Sequence, residues 1–505
     1  MTTPDPAPHD SFDVVVYGGT LAGLMAAARA HRRGLRVCLL EPTGYLGGHI
    51  AGGLVMSDVP LEPSALRGLT DELFFGGIGA EYGSAEPVYD FEAKVAQRVS
   101  DRLAEASCAR IERHVRLERG DVDVAGTTIL GVRAGGEWIR GRFFIDASYQ
   151  GDLMAFAGVP YTVGRESSAT YGEPTAGFIP DRAFTVAGVH ADGRYPLRGR
   201  PLSKPGDGDD KVQSYNFRCI VTQDPATRLP FPKPEGYDPG MYEIVRQVIE
   251  LEKPATFFDV VQNQAVLPNG KIQTNNGLKT LSCDLPNESW EYPDATWRIR
   301  DDVVDRHVRW QQGLYHWLAN DPAVPPHLRA DAASWGLPAD EFADSPYGAG
   351  WPHALYVREG RRMIGAYVLT EHDQNVPHDT KATSVCRWLY PRDCHGVQLY
   401  VDGDVLVCEG PITKIWIDPD NKVDQYQIPA EILFPAAGGV TNIAVPVCLS
   451  SSHIGYATTR LEPAFGMLGE ACGELAALSI AHDRPVQDYD YAELAAHLTE
   501  YGSVL

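Results

Sequence analysis

The stretch "DVVVYGGTLAGLMAAARAHRRGLRVCLLEPTGYLGGH", residues 13–49, decides how this chain is read. Asp13 to Tyr17 is a β-branched apolar run of the kind that forms a buried strand. Ala22 to Arg33 is rich in Ala and Arg and predicts a helix, closed by Gly34. Arg36 to Leu40 predicts a second buried strand. Strand, glycine turn, helix and strand within about 30 residues make a right-handed βαβ unit.

The glycines of such a turn have separate jobs. The first makes the tight turn, the second lets backbone approach a pyrophosphate, and the third lets helix pack on strand. Gly18 and Gly23 keep the first and third jobs, with Gly19 between. Thr20 replaces the middle glycine. It adds bulk and a hydroxyl able to donate to a phosphate oxygen, and the amides of the helix N-terminus face the same phosphate. Glu41 ends the second strand about 20 residues on, where an acid grips ribose hydroxyls. That acid suits FAD and NAD alike. The pair Gly47–Gly48 suggests backbone threading close to a flat ring, which favours FAD.

Chain layout favours FAD too. A nucleotide-domain texture returns in "NIAVPVCL" (442–449) and in the helical run "EPAFGMLGEACGELAALSIA" (462–481), with Pro463 at its first turn. No second G-x-G-x-x-G follows a strand, so no separate NAD(P)H domain is expected. The expected fold is α/β: a discontinuous Rossmann-like FAD-binding domain at 12–165 and 431–482, an inserted α+β substrate or cap domain at 166–430, and a C-terminal helix within 483–505. Further helices are expected at Phe91–Ala106 and Asp301–Asn320. Strands are expected at Ile111–Leu117, Ile129–Arg133 and Trp138–Ile145, and in "YNFRCIVT" (215–222), "VQLYVDG" (397–403) and "KIWID" (414–418).

The 505 residues carry a formal net charge of −23. A field of that sign repels phosphate backbones, so no nucleic-acid partner is expected. The nine cysteines show no C-x-x-C pair and read as reduced thiols. The first residues lack a basic, apolar leader, and no run of about 18 apolar residues occurs. A cytoplasmic protein without a membrane span is expected. Nothing in the sequence sets an oligomeric state.

The segments "DVVVYGGTLAGLMAA", "LLEPTGYLGGH", "FIDASYQGDLMAFAGVPYTVGRES", "VQSYNFRCIVTQDP", "FPKPEGYDP", "REGRRMIGAYVLTEHD" and "SSHIGYATTRLEPAFGMLGEACG" resemble the FAD-dependent oxidoreductase family. Its fold is similar to that of glutathione reductase, and some relatives carry a xanthan lyase label. The resemblance implies FAD as cofactor, with Gly18, Gly19, Thr20 and Gly23 at the pyrophosphate and Glu41 at the adenosine ribose. It places Gly47, Gly48 and His49 beside the flavin and Asp146 and Ala147 on the strand passing the adenine side. Pro463, Ala464 and Phe465 would open a helix whose amides face the flavin. The sequence departs from common relatives at "RDCHG", where Cys394 precedes His395, and at Ala430 and Glu431.

A flavin enzyme needs a base for the proton that leaves as the hydride does. His453, between strand and helix, is the first candidate; its alternative role is to shape the turn. Arg460 reads either as a bidentate carboxylate clamp or as a strut. Asp393 and His395 share a strand face and offer an acid–imidazole pair. Arg358, Arg361 and Arg362 read as buried ion-pair partners or as anion binders. Tyr215 and Arg218 fall on opposite strand faces. His372, His378 and Asp373 do not make a metal site, and none is expected. The leading expectation is hydride transfer from a small metabolite to FAD. The alternatives are an NAD(P)H-dependent flavin monooxygenase or reductase, a non-catalytic flavin-binding protein, and a polysaccharide lyase.

Overall fold

The computed structural model describes residues 11–56, 65–180, 183–191, 193–374, 381–415 and 425–505. His378, the lead over residues 1–10 and the end of "KIWID" lie outside them.

β1 (Ser11–Tyr17) pairs in parallel with β2 (Val37–Glu41), and α1 (Leu21–Arg32) connects them. β2 pairs in parallel with β3 (Arg110–Arg113). On its other side β1 pairs in parallel with β6 (Glu137–Asp146). The first half of β6 pairs antiparallel with β5 (Thr128–Ala134), which pairs with β4 (Val122–Ala125). The second half pairs in parallel with a late strand, Ile443–Ala444. The chain is thus mixed α/β with a parallel, Rossmann-like core, and its late residues complete that sheet.

Alternation along β1 sorts the core. Val14 and Val16 pack with α1 residues, while Val15 and Tyr17 pack with Cys38, Leu40 and Ile129 on the other face. A second apolar cluster gathers Tyr215, Phe217, Val248, Trp310, Tyr315 and Leu399.

The helix Glu462–His482 runs beside α1. A Cβ on Gly469 would collide with the Ala22 carbonyl, and one on Gly473 would lie 2.5 Å from the Ala26 oxygen. Both contacts advance in the same chain direction, so the two helices are parallel and their N-termini open at the same end of the sheet. Arg29 Nε meets Glu474 Oε2 at 2.6 Å and fixes their register. This 21-residue helix is long and apolar enough to cross a membrane, against the sequence-based expectation that no segment would be, and it is almost wholly buried inside the protein.

Three expected strands are shorter than their apolar runs. Ile111–Leu117 stops at Arg113, because His114 turns to φ 61°. "NIAVPVCL" is a strand only at Ile443–Ala444, because Pro446 has no N–H to donate. "YNFRCIVT" is a strand only at Ile220–Val221. There the backbone N–H groups of Tyr215 and Phe217 donate to the Ser289 and Gln311 side chains rather than to a neighbouring strand.

Candidate functional site

Gly18 has φ 104°, and a Cβ there would lie 2.6 Å from Ala147 C and Ser148 N. Gly23 stands against the Gly18 carbonyl, as close helix–turn packing requires. Gly19 N donates to Glu41 Oε2 at 2.7 Å. Thr20 is the N-cap of α1: its Oγ1 accepts from Gly23 N at 3.2 Å and donates to the Ala147 carbonyl at 2.8 Å. The hydroxyl thus donates within the protein, to the end of β6, rather than outward. It ties the turn to that strand end, and Gly18 N donates to the Leu40 carbonyl at 2.7 Å.

Glu41 Oε1 accepts from Thr43 N at 2.7 Å and Thr43 Oγ1 at 2.6 Å, and burial raises its pKa. Gly47 N donates to the Gly19 carbonyl at 2.6 Å, joining the two glycine turns. Gly47 and Gly48 both have positive φ, 92° and 59°. The ring beside Gly48 is that of Tyr149, a residue the sequence did not single out. Tyr149 stacks on His49 at 3.5 Å, accepts from His49 N at 2.8 Å and donates to Glu462 Oε1 at 2.6 Å. His49 Nε2 accepts from Val357 N at 3.3 Å, and burial lowers the pKa of the ring.

Asp146 does not turn to this groove. Its carboxylate accepts from Ser148 N at 3.1 Å, Ser148 Oγ at 2.7 Å and Met154 N at 2.8 Å, and burial raises its pKa to about 6. Ala147 donates its N–H to the Tyr17 carbonyl at 2.8 Å. Pro463, Ala464 and Phe465 form the buried first turn of the last long helix, and no side chain caps that end. Glu462 Oε2 is buried beside it with no partner. The α1 N-terminus, a strand-end acid and an unpartnered buried oxygen at the start of the last long helix suit a dinucleotide with a hydrogen-bonding ring. The groove from Gly18, Thr20 and Glu41 to His49 encloses about 110 Å³, narrowed by Tyr149.

A larger cavity, about 440 Å³, is lined in part by Leu461, the residue just before that helix. This is within the ~300–1,000 Å³ range of small-molecule sites. Arg218, Asn275, Tyr356, Asp393, His395 and Arg460 line it. His395 Nδ1 lies 2.6 Å from Asp284 Oδ2. Asp284 also accepts from Ser214 Oγ at 3.1 Å and faces Arg358 Nη2 at 3.1 Å. Burial and then the Arg358 charge lower the His395 pKa, so the imidazole is neutral at neutral pH. With its proton assigned to Nδ1, facing the carboxylate, Nε2 carries the lone pair. Burial would raise the Asp284 pKa, but Arg358 and His395 hold it below the usual value.

The expected Asp393–His395 pair does not form. Asp393 is taken by Arg460, which donates to its carbonyl at 3.0 Å and meets Oδ2 at 3.4 Å. Arg460 also donates to Tyr356 Oη at 2.8 Å, so its geometry is that of a strut on the cavity wall. Asp284, which the sequence gave no reason to select, supplies the acid instead.

His453 does not line the cavity. Its Nδ1 meets Glu359 Oε1 at 2.7 Å and its Nε2 lies 3.8 Å from Cys394 Sγ. Burial would lower its pKa, but the Glu359 carboxylate, with Cys394, outweighs burial and raises it to about 10. A ring held protonated is a poor base, so the pairing with Glu359 argues against a base role for His453.

The other arginines are buried ion-pair partners. Arg361 meets Asp152 at 2.7 Å, and Arg362 meets Glu166 at 2.7 Å and Glu359 at 2.5 Å. Tyr215 points into the apolar cluster and donates to the Glu359 carbonyl at 2.5 Å, whereas Arg218 lines the cavity. His372 lies 3.2 Å from the Tyr171 carbonyl. Among the described residues Glu92, Asp340 and Glu341 stand close enough to share a cation; the Lys271 ammonium sits there, at 2.6, 2.7 and 2.6 Å.

The family model described as FAD dependent oxidoreductase matches residues 13–498. No curated protein matches the chain. Among solved structures it is similar to GidA from Aquifex aeolicus, at 20% identity over 36% of each chain with a TM-score of 0.22. It is also similar to thioredoxin reductase from T. acidophilum, at 18% identity over 33% of this chain and 42% of that one, with a TM-score of 0.18. The chain thus spans about a third of the GidA chain.

Proposed function

Because this chain belongs to the FAD dependent oxidoreductase family, we propose that it oxidises a small organic substrate in the cavity beside the last long helix, with His395 as the base. One observation carries this reading: an imidazole fixed by Asp284 on the wall of a cavity that Leu461, the uncapped N-cap of the last long helix, also lines.

FAD is the family's cofactor, and when bound it accepts the hydride. In this reading the turn of Gly18, Gly19, Thr20 and Gly23 would border the pyrophosphate at the N-terminus of α1, and Glu41 the adenosine ribose. Gly47, Gly48 and His49 border the flavin. Pro463, Ala464 and Phe465 would place the positive end of the last long helix beside the flavin, with the Phe465 N–H already held by the Leu461 carbonyl at 3.0 Å. Asp146 and Ala147 support the turn from behind.

His395 Nε2 takes the substrate proton. Asp284 keeps the imidazole in the required tautomer and stabilises the imidazolium that forms. Arg460 is a positioning residue, holding Tyr356 and the Asp393 backbone in place. His453 is also a positioning residue, setting the strand Arg392–Cys394 against Glu359. The separate cluster around Trp310 supports reading 166–430 as an inserted domain. Nine free cysteines support a reducing, cytoplasmic setting.

The test is anaerobic mixing of the purified, FAD-loaded protein with alcohols, amines and hydroxy acids, and separately with NADPH. Flavin bleaching by an organic donor without NADPH supports the reading. Bleaching by NADPH alone contradicts it and favours a reductase or monooxygenase.

A further inference from the structure

Arg218 is a buried guanidinium on the cavity wall. Among the described residues its side chain makes one hydrogen bond, Nη1 to Asn275 Oδ1 at 2.8 Å, to a neutral amide. Its Nε is buried with no partner. No carboxylate among the described residues pairs with it. The other two arginines around Tyr356 are balanced: Arg358 by Asp284 at 3.1 Å and Arg460 by Asp393 at 3.4 Å. Three guanidiniums and two carboxylates leave one positive charge on the wall, while the chain as a whole carries −23. Lys279, at the rim, already faces Glu252 at 4.0 Å.

Burying a charge without a counter-charge is costly, and an arginine fork matches a carboxylate in two parallel hydrogen bonds. A second observation points the same way. Asn276 lines the cavity, and its Nδ2 is buried without a partner. Beside it Asn275 Nδ2 donates to Gln264 Oε1 at 3.1 Å, so amides continue along the wall. Amides donate to and accept from hydroxyl groups.

We propose that the substrate is a hydroxylated carboxylate, its carboxylate bound by Arg218 and its hydroxyls by Asn276 and the neighbouring amides. This rests on the cavity being the substrate site, as proposed above.

The test is calorimetric titration of the FAD-loaded full chain with gluconate, glycerate and gluconamide. Gluconate or glycerate is expected to bind, and gluconamide at least tenfold more weakly than gluconate. Arg218→Gln is expected to weaken acid binding at least tenfold, Arg218→Lys less, with FAD content unchanged in both. Equal affinity for acid and amide, unchanged binding in Arg218→Gln, or no binding of either acid at millimolar concentration would overturn the proposal. Loss of FAD from Arg218→Gln would overturn it too, by assigning the guanidinium to the cofactor. Acids that bind without reducing the flavin would support the anion site while refuting oxidation of these acids. A different donor that reduces the flavin while neither acid binds would refute the anion site alone.

Discussion

His395 and Asp284, 111 residues apart in sequence, meet at 2.6 Å on the wall of the larger cavity. The pair sets a pH dependence. The reaction needs neutral His395, whose pKa lies below its ordinary 6.5 through burial and the Arg358 charge. Turnover is therefore expected to be flat at neutral pH and to fall only below 6.5. Asp284 raises the histidine pKa, so Asp284→Asn moves the acid limb lower still, and the lost orientation lowers kcat by about 10²–10⁴. A pH profile of kcat on both proteins, at equal FAD content, checks this.

The Glu359–His453 pair predicts the opposite sign of pH dependence, in stability. The folded pKa of about 10 stands above the ordinary 6.5. Its contribution is fully present below pH 6.5 and is lost as pH rises through 10. The stability gap between wild type and His453→Gln is expected to be widest below pH 6.5 and to close toward pH 10. Urea unfolding of both proteins across that range measures it.

Thr20 is expected to matter for stability more than for phosphate binding. Removing its cap in Thr20→Ala costs about 0.5–2 kcal/mol, while Thr20→Ser retains it. Thermal unfolding and an FAD titration of both variants separate the two roles. A loss of FAD affinity in Thr20→Ala with unchanged stability would restore the hydroxyl to the phosphate.

Gly469→Ala drives a methyl into the Ala22 backbone carbonyl, which a flexible side chain cannot relieve. Overpacking of this kind costs roughly 1–3 kcal/mol. Because the same helix begins at Glu462, which accepts from the groove residue Tyr149, retained FAD is expected to fall with stability. Gly199→Ala, with nothing within 4 Å, is the neutral control. Differential scanning fluorimetry and the flavin content after desalting read out both.

The parallel core was legible because its signals are local. The β-branched run before Gly18, the acid at Glu41 and the small residues of "EPAFGMLGEACG" each report on their own element. The cavity was not legible, because its chemistry is assembled from distant segments. Asp284 sits in "SCDLP" with no motif around it, and strand spacing offered His395 the wrong acid, Asp393, which Arg460 occupies. His453 carried the right residue type at a suggestive turn, but Glu359, far away in sequence, fixes its charge. Thr20 was placed correctly in the turn, while the direction of its hydroxyl depended on Ala147 at the end of β6.

The most direct measurement is rapid anaerobic reduction of bound flavin in wild type and His395→Gln, by an organic donor that bleaches the wild type and by dithionite. The account predicts that the donor reduces the variant about 10²–10⁴ times more slowly, while dithionite reduces both proteins alike. Equal donor rates in the two proteins would contradict the assignment of His395 as the base.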